Sequence, residues 1–158
     1  MRLCFFAFLL VACGGAPPAP AHALTLDGLA ADGSAAPLVE GQEVTLVEGA
    51  QGGFHVWLRY AYDGIPGTDA TLTRTAHRVS DDVLVLRSTA DTTIEALSEP
   101  LPMFMCPSPV GIDVIDTPIA YTLDLTDGVG TELAKGTITL VPRCPVDEAT
   151  FCQQICTG

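Results

Sequence analysis

The chain has 158 residues, a length that suits a single domain. Its 19 acidic and 7 basic residues give a formal charge of −12 at pH 7. This charge excludes nucleic acids and bare anionic lipid surfaces as electrostatic partners, because both would repel the protein. The acidic residues are spread along the chain rather than gathered in a tail, which predicts a solvated acidic surface.

The first residues have the pattern of an export signal. Arg2 precedes an apolar run over residues 3–12. The run is too short to cross the roughly 30 Å of bilayer hydrocarbon, and its length suits the hydrophobic region of a signal peptide. We therefore assign residues 1–12 to a signal peptide and leave them out of the fold prediction.

The apolar run ends in Leu10-Val11-Ala12-Cys13, which resembles the lipobox of bacterial lipoproteins. In that family a peptidase cuts before the cysteine, so the resemblance implies a lipid on Cys13. Several acyl chains together anchor a protein stably to a membrane. Gly14, where an aspartate would signal retention in the inner membrane, implies the outer membrane or cell surface. The alternative is an ordinary secretory signal that is cut after Ala21 or Ala23.

The next segment, residues 13–36, is rich in proline, glycine and alanine, a composition typical of a flexible tether. From about residue 37 the chain changes to short β-rich runs separated by turn residues. The clearest run is Phe54–Tyr62, in which the residues of one face alternate with those of the other. The other predicted strands are 43–47, 71–79, 83–87, 101–106, 110–115, 121–125 and 137–141, and the predicted helix is 146–156.

These runs predict an all-β domain over residues 37–158, with the fold of an antiparallel β-sandwich and a short C-terminal helix. The closing segment 119–128 resembles the last hairpin of immunoglobulin-like bacterial surface domains. The resemblance implies an immunoglobulin-like arrangement of the strands. A small barrel is the alternative architecture.

The cysteines predict two disulfides. Cys4 would leave with the signal peptide, which leaves four besides the lipidated cysteine, an even number that suits an oxidising compartment. These four are Cys106, Cys144, Cys152 and Cys156. Because Cys152 and Cys156 share a helix face, we expect them to bond to different partners and to pin the helix through Cys106 and Cys144. A zinc cluster is the alternative, but the spacing does not match usual zinc sites.

The string Gly49-Ala50-Gln51-Gly52-Gly53-Phe54-His55-Val56-Trp57 resembles one found in uncharacterised bacterial lipoproteins of similar size. On a strand, His55 and Trp57 point to the same face. If that face is exposed, the pair predicts a binding patch, since tryptophan is favoured at interface hot spots. The alternative, which we favour, is that Trp57 plugs one end of the core while His55 hydrogen-bonds a nearby loop.

A metal site is a further hypothesis, because histidine, methionine and cysteine suit copper or zinc. The candidate ligands are His55, His77, Met103, Met105 and Cys106. No closely spaced histidine or cysteine pair supports the site, and the two methionines are more simply explained by packing. We therefore predict no metal and no cofactor. The acidic turns at 80–82 and 124–128 do not match a calcium loop and are explained as hairpin turns.

The sequence contains no catalytic motif such as Gly-x-Ser-x-Gly or His-Glu-x-x-His. The leading hypothesis is a non-enzymatic, lipid-anchored protein that acts as an interaction or structural module of the cell envelope. Its expected partners are the membrane, through the lipid, and another envelope protein. The alternative is a small-ligand or metal-binding lipoprotein that uses the region of His55, Trp57 and His77. An enzyme is the third and least favoured hypothesis.

Overall fold

The fold is all-β with one short C-terminal helix, as the sequence predicts. The computed structural model describes residues 22–50, 52–107 and 111–157, so the predicted signal peptide and Cys13 lie outside the described residues. The strands are β1 (His22–Leu29), β2 (Ala35–Pro37), β3 (Gln42–Thr45), β4 (Val47–Glu48), β5 (Phe54–Tyr62), β6 (Asp69–Arg78), β7 (Val83–Thr93), β8 (Leu101–Cys106), β9 (Ile119–Thr126) and β10 (Glu132–Arg143). A 3₁₀ turn (Val146–Glu148) leads into the helix α1 (Ala149–Thr157).

The strands form a curled sheet with two halves. In the first half, β5 lies between β1 and β8 and is antiparallel to both. In the second half, β9 lies between β10 and β6, and β7 pairs with the other edge of β6. The strand β1 joins the halves, because its first two residues pair with β10. No helix in the described part of the chain is long and apolar enough to cross a membrane.

The sheet is not wholly antiparallel, in contrast to the prediction. Both β1 and β3 run parallel to β10 along its outer edge. Parallel neighbours require long connections, and here the connections span most of the chain. Alternation within a strand does not indicate the direction of its neighbour, so the parallel pairs were not predictable from periodicity.

The hydrophobic core lies between the two halves of the sheet. In β5 and β9, buried residues alternate with partly exposed ones, as expected for strands with one face covered. The fully buried residues of these two strands include Phe54, Leu58, Tyr121, Leu123 and Leu125. These inward faces belong to one contiguous cluster. The core therefore ties the first half of the sheet to the second.

The predicted flexible tether is wrong for residues 22–36. Leu24 and Leu26 of β1 are buried, and β1 pairs with β5 over its length from Leu24 to Leu29. The residues 35–37 add the short strand β2 to the edge of β1. The three leucines of β1 lie in a stretch rich in alanine and glycine, a composition that favoured a tether over a strand. The domain therefore includes residues before 37.

The predicted strand at 110–115 is also wrong for residues 111–115, while residue 110 lies outside the described part. Asp113 accepts a hydrogen bond from the Ile115 amide, at 3.1 Å, and so forms a local turn. Val114 is nevertheless fully buried. The apolar residues of this segment therefore reflect a loop packed onto the core rather than a strand.

Two disulfides hold α1 against the ends of the sheet. Cys156 is bonded to Cys106 at the end of β8, in the first half. Cys152 is bonded to Cys144, which directly follows β10, in the second half. This pairing confirms the prediction that the helix is pinned through Cys106 and Cys144. The helix therefore connects the two halves covalently at one end of the domain.

Candidate functional site

His55 and Trp57 lie on the outward face of β5, with both side chains half-buried. The centroids of their rings are 5.7 Å apart, and the His55 ring also lies 5.1 Å from Phe104 on β8. Trp57 is not part of the core, so the favoured interpretation of Trp57 as a core plug is wrong. Instead, the three rings form an aromatic cluster on the outer surface of the first half.

The glycines that precede β5 are explained by this cluster. Gly52 has a φ of 77°, a value that favours glycine, and it closes the turn between β4 and β5. Gly49 lies directly against the His55 imidazole, where any side chain would collide with the ring. The glycine-rich string therefore serves the local packing of His55, which is a structural role.

The environment of His55 disfavours its protonated form. Its Nδ1 atom is buried and has no hydrogen-bond partner among the described residues. Burial lowers the pKa of the imidazole below its usual 6.5, because the charged ring would lose hydration. His55 is therefore held neutral at pH values where an exposed histidine begins to gain a proton.

We expect His55 to make folding stability sensitive to mild acid. Its pKa is lower in the folded state than in the unfolded state, so stability is complete above pH 6.5 and declines as the pH falls through the folded pKa. His55→Phe should flatten the pH dependence of the urea midpoint between about pH 7 and 5. His77→Gln, on β6, is the matched control. The prediction would be contradicted if the urea midpoint changed equally with pH in the wild type and in His55→Phe.

His77 does not join this cluster. It lies on β6 in the second half, where its Nδ1 is 3.2 Å from a carboxylate oxygen of Asp82. Met103 and Met105 point the other way from Phe104 and are fully buried in the core. The structure therefore brings His55 and Trp57 together, while His77 and the methionines are elsewhere. The candidate metal ligands do not converge.

The acidic turns have local roles. The carboxylate of Asp127 accepts hydrogen bonds from the amides of Val129 and Thr131, at 2.9 and 2.8 Å. These bonds lower the pKa of Asp127 and stabilise the loop between β9 and β10. Asp81 pairs with Arg78 at 2.6 Å. The roles of Asp127 and Asp81 are thus explained by contacts within their own turns.

The cysteine sulfurs form the tightest group of metal-type ligands in the described residues. The Sγ atoms of Cys144, Cys152 and Cys156 lie within 4.8 Å of one another. All three are in disulfides, and the Sγ atoms of Cys152 and Cys156 are 3.9 Å apart across the two bridges. A thiolate is the species that binds metal, so the oxidised cluster is structural.

A groove opens beside Trp57, and the sequence analysis did not predict it. Along one edge, β5 first pairs with β4, where His55 lies opposite Val47. The same edge then pairs with β1, beginning at Trp57, which lies opposite Leu29. The groove lies where the edge of β5 passes from one strand to the other, and its volume is about 720 Å³. That size falls within the roughly 300–1,000 Å³ typical of ligand sites.

The floor of the groove is apolar. Val56 and Leu46, which belong to the core and are 3% and 1% exposed, lie beneath it. Leu38 and Val44 are half-buried and line its sides, together with Trp57. Leu38 packs directly over Gly28 of β1, where a Cβ atom would lie only 2.7 Å from the leucine side chain. This glycine therefore allows the segment after β2 to form one wall.

The charged residues of the groove are all acidic. Its lining includes Glu43, Glu48, Asp147 and Glu148, and among the described lining residues there is no lysine, arginine or histidine. Glu43 pairs with Arg143 at 2.7 Å. The other three carboxylates form no ion pair or side-chain hydrogen bond with described residues. The groove therefore combines an apolar floor with unneutralised negative charge.

The acids at 147 and 148 lie in the first turn of the C-terminal helical segment but form no capping hydrogen bond. Carboxylates near a helix N-terminus interact favourably with the helix dipole. However, the residue at the N-cap, Pro145, provides no side-chain cap, and neither Asp147 nor Glu148 accepts a capping hydrogen bond. Their carboxylates remain available to a ligand in the groove.

Comparison with known protein families and with curated proteins finds no match to this sequence. The function must therefore be inferred from the residues themselves.

Proposed function

We propose that this chain is an exported protein, anchored to an envelope membrane through a lipid on Cys13, whose domain binds a partner and catalyses no reaction. The observation that carries the proposal is the pair of disulfides that clamp α1. Disulfides of this kind persist in oxidising compartments outside the cytosol. They support the interpretation of residues 1–12 as a signal peptide and of Leu10-Val11-Ala12-Cys13 as a lipobox. Gly14 favours the outer membrane or cell surface.

We also propose that the curled sheet is an immunoglobulin-like β-sandwich. Its strand neighbours support this: β5 between β1 and β8 corresponds to one layer of such domains, and β9 between β10 and β6 to the other. The outer strand β7 takes the place of the extra strand found in variable-type domains. Domains of this architecture commonly serve in binding at cell surfaces.

A binding role is supported by the groove, and the arrangement of the reactive residues favours it over catalysis. The four described cysteines are paired, so none of them offers a thiolate nucleophile. The Nδ1 atom of His55 has no partner among the described residues that would orient the ring as a base. The groove offers apolar surface and charge, which are features of recognition. The second candidate is small-ligand binding at the aromatic cluster of His55, Trp57 and Phe104, without His77.

Intact mass spectrometry tests the export and anchoring. The protein purified from membranes should have the mass of a chain that begins at Cys13 and carries acyl groups. Four thiols should become reactive to an alkylating reagent only after reduction. Cys13→Ala should shift the protein out of the membrane fraction. A lipid-free mass that begins near residue 22 or 24 would contradict the anchor, and free thiols before reduction would contradict the oxidised state.

A further inference from the structure

We propose that the groove beside Trp57 binds an extended segment of a partner protein in which apolar and basic side chains alternate. The inference rests on the proposed binding role and names the chemistry of the partner. Three features of the groove point to this occupant: its floor, its charge and its tryptophan.

The apolar lining selects apolar side chains. The half-buried Leu38 and Val44 present apolar surface in the groove, above Val56 and Leu46, which are almost wholly buried. Apolar surface that is removed from water contributes to binding in proportion to its area. A purely ionic ligand would leave this apolar surface uncovered. The occupant therefore carries apolar groups as well as charge.

The charge selects basic side chains. Glu48, Asp147 and Glu148 line the groove and have no charged partner in the described part of the chain, so a lysine or arginine placed between them would supply a counter-charge. Trp57 offers an aromatic face to which a lysine or arginine is also attracted. The formal charge of −12 steers a basic segment towards the domain and repels an anionic one.

The position of the groove suits an extended segment. Its lining includes Ala36 of β2 and Glu48 of β4, and among the described strands each of these two short strands pairs with one other strand only. Strand edges commonly receive extended peptides, and side chains of an extended segment alternate between two sides. Alternation of apolar and basic residues would place the apolar groups on the floor and the basic groups at the acidic rim.

The test uses the only tryptophan of the chain as its probe. The full chain, purified in non-ionic detergent, is titrated with a short blocked peptide that alternates valine with lysine. We expect a saturable change in Trp57 fluorescence that weakens as salt is added. A peptide with glutamate in place of lysine should produce no saturable change. Detergent titrated alone provides the baseline.

Matched variants assign the charge effect to the groove. Glu48→Gln, Asp147→Asn and Glu148→Gln combined should weaken binding of the basic peptide roughly tenfold or more. The control removes the same charge from exposed carboxylates outside the groove, with Glu95→Gln, Glu99→Gln and Glu132→Gln combined, and should change binding much less. Circular dichroism of each variant verifies that the fold is kept.

Three results would overturn the inference. The first is equal weakening by both sets of variants, which would indicate a general charge effect. The second is an equal fluorescence change with spermidine, which would indicate a site for small cations. The third is a saturable fluorescence change with the acidic peptide, or no saturable change with either peptide. None of these results alters the mass or the thiol reactivity of the protein, so the proposed anchoring would be judged separately.

Discussion

Replacing Cys106 and Cys156 by alanine is expected to cost roughly 4 kcal/mol of unfolding free energy, against roughly 2.5 kcal/mol for replacing Cys144 and Cys152. The difference follows from loop length: the first disulfide joins residues 50 apart, and the second joins residues 8 apart. A longer closed loop removes more conformational freedom from the unfolded chain. Urea unfolding under oxidising conditions, followed by circular dichroism, measures both losses.

The reduced wild-type protein is the control for the disulfide variants. The urea midpoint of the reduced protein should be lower than that of either double variant, because both disulfides are then open. Equal losses in the two double variants would contradict the loop-length explanation. A larger loss on removing the short Cys144–Cys152 loop would also contradict it, and would mean that the contact of α1 with β10 matters more than chain entropy.

The disulfides also bear on the groove. Pro145, Asp147 and Glu148, which lie within four residues after Cys144, line the groove. The Cys144–Cys152 bridge closes a loop around this acidic segment. We therefore infer that the bridge holds the two carboxylates in place relative to β5, so the clamp on α1 serves the proposed binding site as well as stability.

Tyr121→Ala is expected to cost about 3–5 kcal/mol, the range measured for removing large aromatic side chains from cores. Tyr121 lies on β9, is fully buried and is among the largest side chains of the core. Its hydroxyl donates a hydrogen bond to the Met105 sulfur of β8, at 3.0 Å, so it crosses from one half of the sheet to the other. Burial raises the pKa of the phenol, which keeps it neutral.

Tyr121→Phe removes the hydroxyl and keeps the ring, so it measures the contribution of the hydroxyl alone. A thioether sulfur is a weak acceptor, and losing its donor leaves no strongly polar group unsatisfied. We therefore expect Tyr121→Phe to cost less than about 1 kcal/mol. Denaturant unfolding of both variants gives the comparison. A loss for Tyr121→Phe as large as that for Tyr121→Ala would mean that the contact between the halves depends on the hydroxyl.

Local features of this protein were predictable because they depend on neighbouring residues. The alternation in Phe54–Tyr62 gave the bounds of β5, and the prolines and apolar residues of 101–106 gave those of β8. The spacing of Cys152 and Cys156 on one helix face predicted that they bond to different partners, as they do. Each of these conclusions required only the geometry of a single strand or helix turn.

Features that depend on distant residues were missed or wrong. The residues of β1 were assigned to the tether, and they form a strand because β5 offers them a partner edge. The apolar segment 111–115 is a loop because its buried Val114 fits the core without ladder pairing. In both cases tertiary packing, rather than local propensity, determined the secondary structure.

Of the residues around the groove, the sequence predicted only one as part of a binding site. The sequence singled out Trp57, because it is the one tryptophan and shares a strand face with His55. The sequence by itself thus determined most of the strand pattern, the separate partners of the two helix cysteines and the acidic charge, since these follow from local spacing and composition. Only the tertiary structure placed Leu38, Glu48 and Asp147 around Trp57. Leu38 and Glu48 come from neighbouring segments and Asp147 from the distant 3₁₀ turn, and they meet because β5 exchanges one edge partner for another beside the clamped helix.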